Sequence, residues 1–114
     1  MATVDARSVA DIVSTIGTAR ERWRVFGLRA GARPFLVARL AAETRGAIVV
    51  VASTSADAEG WAADLRFFLG EGEERTPLER RVHVFPAWDT EPLSGVSPTG
   101  EIVGERLFTL CALG

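Results

Sequence analysis

Apolar residues along the chain recur at helical spacing in four stretches. Four residues of the first stretch share one helical face: Val9, Ile12, Val13 and Ile16. Their i, i+3, i+4, i+7 spacing predicts an amphipathic helix over residues 6–18. The same spacing predicts helices over 35–45, between Ser55 and Gly70, and from Pro98 onward. The third helix would bury Ala58, Trp61, Ala62, Leu65, Phe68 and Leu69, and the last would bury Val103, Leu107, Leu110 and Cys111.

Residues at the ends of these stretches fit helix boundaries. Asp5, Ser55 and Ser97 are candidate N-caps, because a side-chain oxygen there accepts a free amide of the first turn. Pro34 suits the first position of the second helix, where its missing amide would have had no partner. Gly46 suits the left-handed position just after that helix.

Three other apolar stretches predict strands: Trp23–Gly27, Ala47–Ala52 and Val82–Phe85. The second is apolar at every position, which indicates a strand covered on both faces. Strands that alternate with helices are typical of a parallel α/β layer. We therefore predict an α/β fold, a three-layer parallel sheet with helices on both faces. Three strands leave an open edge, so we expect an incomplete domain that chain beyond Gly114 completes.

A proline-rich connector follows the third predicted strand. Pro86, Pro92 and Pro98 exclude regular structure between them, because proline fixes φ and lacks an amide donor. An extended connector needs a surface to lie on. Trp88 is therefore predicted to be buried and to anchor the connector on the α/β layer.

Charge and cysteine content limit the classes of function. All thirteen basic residues are arginine, and fifteen acidic residues bring the net charge to −2, which does not indicate a free-standing nucleic-acid binder. Cys111 stands alone in the sequence, so no internal disulfide forms, and a reducing cytoplasm fits best. The N-terminus does not have the pattern of a signal peptide. The longest apolar run is too short to cross a membrane, so we expect no membrane partner.

The loop from Gly27 to Pro34 occupies the place of a phosphate-binding P-loop, between a predicted strand and a predicted helix. A working P-loop ends in Gly-Lys-Ser/Thr, whereas this loop ends in Ala32, Arg33 and Pro34. The hydroxyl that would hold Mg²⁺ is absent, and Pro34 also removes an amide. We expect this degenerate loop (Gly27, Gly31, Ala32, Arg33, Pro34) to bind no cofactor. At most, Arg29 and Arg33 would attract an anion weakly.

The remaining polar and aromatic residues favour structural roles over catalytic ones. Four acidic residues lie in or near the connector: Asp89, Glu91, Glu101 and Glu105. Helix capping and a salt bridge from Glu101 or Asp89 to Arg106 explain them better than acid–base catalysis. A single histidine, His83, makes no metal site. The tryptophans Trp23, Trp61 and Trp88 favour packing over base stacking. We expect no catalytic residue and no metal site.

Three stretches resemble the first part of the bacterial transcription-repair coupling factor, a relative of the excision nuclease B subunit (UvrB). They are GLRAGARPFLVARLA, AIVVVASTSADAEGWAADLRFFLG, and VHVFPAWDTEPL with the SP and EIVGERL that follow it. The third stretch is the most specific. The resemblance begins at about Val25, so residues 1–20 are predicted as a separate N-terminal helix from their apolar spacing alone. Residues 21–114 would be the first part of a UvrB-like α/β domain. The related B subunits keep an intact GSGKT-type loop and a tyrosine-rich hairpin, and this chain has no tyrosine.

Members of this family release RNA polymerase stalled at DNA damage and recruit the A subunit of nucleotide excision repair (UvrA). Their DNA translocase is a C-terminal motor that binds ATP and Mg²⁺. The resemblance therefore implies a non-catalytic scaffold here, with the rest of its own polypeptide as partner. Two alternatives stay open. One is a small ATP-binding P-loop-type enzyme domain, and the other is a free-standing truncated paralogue that acts as a protein-interaction module.

Overall fold

A computed structural model describes residues 5, 7–16, 22–91 and 93–114 of the chain. The described part contains four α-helices: α1 (Val9–Ile16), α2 (Ala32–Glu43), α3 (Ser55–Phe68) and α4 (Gly100–Leu113). A short 3₁₀ helix, Pro77–Glu79, lies between α3 and α4. The chain divides into two compact units, unit 1 (Met1–Val49) and unit 2 (Val50–Gly114). None of the described helices is long and apolar enough to span a membrane.

The prediction of an α/β fold with a three-layer parallel sheet is wrong, because the described residues contain no strand. The three stretches predicted as strands are irregular. A strand requires a second strand that satisfies its backbone groups. The carbonyls of Val82 and Val84 instead accept hydrogen bonds from helix side chains. In the apolar run Ala47–Ala52, Val49 is 79% exposed and Val51 is 91% exposed, so this run is not the covered central strand that its composition predicted.

Unit 1 is built on the packing of α1 against α2. Val13 of α1 is buried, as its place on the apolar stripe predicts, and so are Leu36 and Ala38 of α2. Ser8, and not Asp5, caps α1. The Ser8 hydroxyl accepts from the Asp11 amide at 3.2 Å, and the Asp11 carboxylate accepts from the Ser8 amide at 3.0 Å. This reciprocal pair fixes the start of the helix. The predicted helix ends at 6 and 17–18 lie outside the described residues.

Helix α2 begins three residues earlier than predicted and ends two residues earlier. Pro34 is its third residue, a position whose amide still has no partner within the helix, so proline is tolerated there. The helix ends at Glu43, and the amide of Thr44 donates to the Leu40 carbonyl at 2.9 Å. Gly46 does not adopt a positive φ, so its predicted role as the left-handed residue after the helix is wrong.

Helix α3 has well-defined caps at both ends. Thr54, one residue before the predicted Ser55, accepts a hydrogen bond from the Asp57 amide at 3.1 Å. Gly70 has φ of +67°, as expected for a residue that stops a helix. The amides of Gly70 and Glu71 donate to the carbonyls of Phe67 and Arg66, which is the hydrogen-bond pattern of a Schellman motif.

Helix α4 begins after Thr99, so Ser97 and Pro98 precede it and neither opens it as predicted. Its predicted inner face is also wrong. Leu107, Leu110 and Cys111 are exposed, whereas Thr109 is buried. The stripe prediction failed because Thr109 points a hydroxyl at a backbone acceptor, which helical spacing of apolar residues does not detect.

Candidate functional site

The loop Gly27–Pro34, which the sequence identified as a degenerate P-loop, lies in unit 1 before α2. Gly27 has φ of +79°, and the Ala32 amide donates to the Arg29 carbonyl at 2.9 Å, which closes a turn. Gly31 is the N-cap of α2 but has ordinary helical φ and ψ and makes no side-chain capping bond. A Cβ added at Gly27 or Gly31 would meet nothing within 4 Å, so no neighbouring protein atom requires a glycine at either position, and only the positive φ of Gly27 favours one.

The residues that depart from the P-loop pattern stand at the start of α2. Ala32 is its first residue, Arg33 is exposed, and Pro34 is buried. The stretch before the loop is not a strand, so the strand-to-helix setting of a P-loop is also absent from the described residues. The expectation that the loop binds no cofactor stays a prediction.

A second arrangement, in unit 2, brings together the two long helices and the connector, which from here on includes residues 82–85 before it. Three carbonyls at alternate positions accept hydrogen bonds from helix side chains. The Arg66 guanidinium of α3 donates to the Val82 carbonyl at 3.4 Å, and the Thr109 hydroxyl of α4 donates to the Val84 carbonyl at 3.3 Å. The Arg106 guanidinium donates to the Pro86 carbonyl at 2.5 Å. Helix side chains thus donate hydrogen bonds to alternate backbone carbonyls of residues 82–86.

Arg106 is the centre of this arrangement. Its guanidinium carbon lies 3.9 Å from the ring centroid of Phe85 and 4.1 Å from that of Trp88. A planar cation at this distance is attracted by the ring quadrupole of both aromatics. We call Phe85, Pro86, Trp88 and Arg106 the Arg106 cluster. The predicted salt bridge from Asp89 or Glu101 to Arg106 is wrong, because the described structure places aromatic rings and a carbonyl around the guanidinium and gives it no carboxylate partner.

The prediction that Trp88 is buried against an α/β layer is wrong, because the described residues contain no sheet and the side chain is 51% exposed. The contact that the structure gives it is the one with Arg106. Both Trp88 and Arg106 were singled out from the sequence, but their contact with each other was not predicted.

Asp89 closes the loop that leads into α4. Its carboxylate oxygens accept from the Thr99 amide at 3.4 and 3.2 Å, so it serves the helix N-terminus from ten residues upstream. Hydrogen bonding to the Thr99 side chain, and then to its backbone N–H, lowers the pKa of the Asp89 carboxyl. Between these residues, Leu93 and Gly95 have positive φ, and Pro92 lies outside the described residues.

His83 packs on α4. Its ring centroid lies 5.8 Å from that of Phe108 at an interplanar angle of 53°. Within the described ranges, no group of three His, Cys, Asp or Glu side chains is placed to share a metal ion. The contacts around the connector consist of hydrogen bonds to carbonyls and packing on rings, which fix positions.

Three residues of this arrangement escaped the sequence analysis: Arg66, Phe85 and Thr109. Their contacts join residues 16 to 25 positions apart, which local spacing does not show. A threonine among the apolar residues of the second half of α4 was the one available signal, because a buried hydroxyl needs an acceptor.

Comparison with known proteins gives no matching family model and no solved structure with a significant match. Among curated proteins, the chain is similar to a segment of a long factor that couples transcription to repair. That relative is the transcription-repair-coupling factor of Myxococcus xanthus, 39% identical over 108 residues. The match covers 95% of this chain and 9% of the relative, so the chain spans about a tenth of the relative's length. The resemblance inferred from the motifs is thereby confirmed as similarity to a segment of this factor.

Proposed function

We propose that the chain acts as a non-catalytic scaffold segment of a transcription-repair coupling factor. The observation that carries the proposal is its 39% identity to a segment of the Myxococcus xanthus factor, which spans nearly the whole chain. In the proposed role the segment positions neighbouring parts of one long polypeptide, and ATP-driven chemistry belongs to parts outside it.

The chemistry of the loop before α2 supports a role without nucleotide hydrolysis. A P-loop lysine is a compact charge between the β- and γ-phosphates, whereas the guanidinium of Arg33 is longer, planar and forked. Pro34 supplies neither the hydroxyl that would hold Mg²⁺ nor an amide for a phosphate.

The connector supports the scaffold role. Arg66, Arg106 and Thr109 fix alternate carbonyls of the connector, and Asp89 fixes its far end. A segment restrained at four points presents a fixed shape to its surroundings. The residues that restrain it carry no activated nucleophile.

Isothermal titration calorimetry with ATP and Mg²⁺ tests the absence of nucleotide binding. We expect no Mg²⁺-dependent heat from the natural chain. Micromolar, Mg²⁺-dependent binding would contradict the scaffold proposal and favour a small ATP-binding enzyme domain. The matched control carries Ala32→Gly, Arg33→Lys and Pro34→Thr. Its unfolding transition, followed by tryptophan fluorescence, shows whether the restored motif still folds.

The partners of the whole factor enter only as part of this proposal. A polypeptide that contains this segment would act on stalled RNA polymerase in the cytoplasm, recruit UvrA and move on DNA through its motor. We assign none of these contacts to the Arg106 cluster, whose role is to hold the connector.

A further inference from the structure

The net charge of −2 conceals a large difference between the two units. By sequence, unit 1 carries eight arginines against four acidic residues, a net charge of +4. Unit 2 carries five arginines against eleven acidic residues, a net charge of −6. A charge difference of this size between two halves indicates a polyanionic partner for the basic half.

The positive charge of unit 1 is concentrated between residues 22 and 45. Within this range Glu43 is the one acidic residue, against six arginines: Arg22, Arg24, Arg29, Arg33, Arg39 and Arg45. All six are exposed, and none of their guanidinium groups has a partner among the described residues. Three of the five arginines of unit 2 differ, since the guanidinium groups of Arg66, Arg75 and Arg106 donate to backbone carbonyls. These six guanidinium groups, which have no partner among the described residues, are therefore the ones that we expect to contact an external anion.

An exposed aromatic residue stands among these arginines in the sequence. Phe26 is 83% exposed and stands between Arg24 and Arg29, next to the left-handed Gly27. Arg22, Arg24 and Phe26 are all exposed, whereas Trp23 between them is partly buried. The segment thus offers two charged groups and a ring at alternate positions.

We propose that residues 22–33 bind single-stranded nucleic acid, with Arg22, Arg24, Arg29 and Arg33 contacting phosphates and the ring of Phe26 stacking on a base. This combination of free cations and an exposed aromatic is what sequence-independent single-strand binding requires. The inference does not depend on the scaffold function.

Single strands fit this surface better than a duplex does. A duplex keeps its bases stacked on one another, so an exposed ring finds no free base face. An acidic protein surface would use the arginines but would leave Phe26 without a matching contact. Substitution of Phe26 therefore distinguishes binding of nucleic acid from binding of other polyanions.

The test is fluorescence anisotropy of a labelled oligothymidylate of about 15 nucleotides, a length within single-strand site sizes, titrated with the natural 114-residue chain. We expect log affinity to fall with log salt with a slope of about −3, because each phosphate contact on a single strand contributes about −0.7. The double change Arg24→Ala and Arg29→Ala should reduce the magnitude of that slope by about 1.4.

Phe26→Ala should weaken binding about 5- to 150-fold and leave the salt slope unchanged, since it removes stacking and no charge. Two variants in unit 2 serve as matched controls. Phe67→Ala removes a phenylalanine that is 78% exposed, and Arg81→Ala removes an exposed arginine. Both should bind the oligonucleotide as the natural chain does.

Three results would overturn the proposal. These are a Phe26→Ala variant that binds as tightly as the natural chain, equal affinity for a duplex of the same length, and equal affinity for polyglutamate. The last would assign the arginines to an acidic protein surface. An oligouridylate of the same length is the parallel arm, and a preference of tenfold or more between the two strands assigns the site to RNA or to DNA.

Discussion

At the scale of single residues, Arg106 is the residue on which the connector depends most. It donates to the Pro86 carbonyl and contacts the rings of both Phe85 and Trp88. A hydrogen bond from a charged donor contributes about 1.5–3 kcal/mol, and each exposed cation–π contact contributes about 0.5–1 kcal/mol. One side chain therefore joins α4 to three positions of the connector.

We expect Arg106→Ala to lower the free energy of unfolding by about 2–3 kcal/mol, since these contributions are not fully additive. Arg106→Lys keeps the charge but loses the planar contact with two rings, so its loss should be smaller. Urea denaturation followed by tryptophan fluorescence measures both. The control is Arg81→Ala, an exposed arginine whose loss should fall within about 0.5 kcal/mol. A midpoint for Arg106→Ala equal to that of the control would show that the cluster does not hold the connector.

Asp89 makes the stability of the folded connector depend on pH. Hydrogen bonding to Thr99 places its folded pKa below the ordinary value of 3.8. A carboxyl with a lowered folded pKa contributes stability above its unfolded pKa, and that contribution is lost as the pH falls through the folded pKa. We therefore expect unfolding midpoints to drop below about pH 4, and we expect Asp89→Asn to flatten part of that drop. Hydrogen bonds with the backbone and side chain of Thr76 lower the pKa of Glu79, so its contribution to stability is also lost as the pH falls. Glu79→Gln should therefore flatten another part of the drop in the unfolding midpoint. Identical pH profiles for the parent and Asp89→Asn would rule out this role.

At the scale of elements, helices were predictable and strands were not. Each of the four predicted helices overlaps an observed one, because helical spacing and nearby caps are local properties. The observed helix ends differ from the predicted ones where another residue makes the capping hydrogen bond, as Ser8 and Thr54 do. A strand depends on a distant partner, so the apolar runs at 47–52 and 82–85 did not determine a sheet.

For the candidate site, too, local features were predictable from the sequence and contacts between distant residues were not. The residues of the degenerate loop follow from one motif comparison, and the loop stands before a helix as predicted. The irregular backbone of the connector, over its described residues, was also predictable from its prolines. Its contacts with Arg66, Arg106 and Thr109 were not, because they join residues 16 to 25 positions apart.

Alanine substitutions at Gly60, inside α3, and at Gly70, just after its end, should change stability in opposite directions. Gly70 has φ of +67°, so Gly70→Ala should cost about 1–2 kcal/mol of stability. Gly60 lies inside α3, where a Cβ would meet nothing within 4 Å, so Gly60→Ala should stabilise by up to about 1 kcal/mol. Thermal unfolding followed by circular dichroism measures both changes. If the two variants shifted the transition in the same direction, the assigned C-terminus of α3 would be wrong.

At the scale of the whole molecule, the chain is two units of opposite charge with similarity to a segment of a much longer factor. Many apolar side chains of the described residues are exposed, among them Leu107, Leu110 and Leu113 of α4. The connector of unit 2 is held by side chains from α3 and α4. Together these features support a segment whose function is positional.

The most direct test of the scaffold proposal replaces the matching segment of the Myxococcus xanthus factor with this chain. Repair of the transcribed strand relative to the other strand is then measured. We expect the chimera to keep this strand preference, and a chimera with Arg106→Ala to lose much of it while the Arg81→Ala control keeps it. A stably folded chimera that loses the preference, or a factor that keeps it when the segment is deleted, would contradict the proposal.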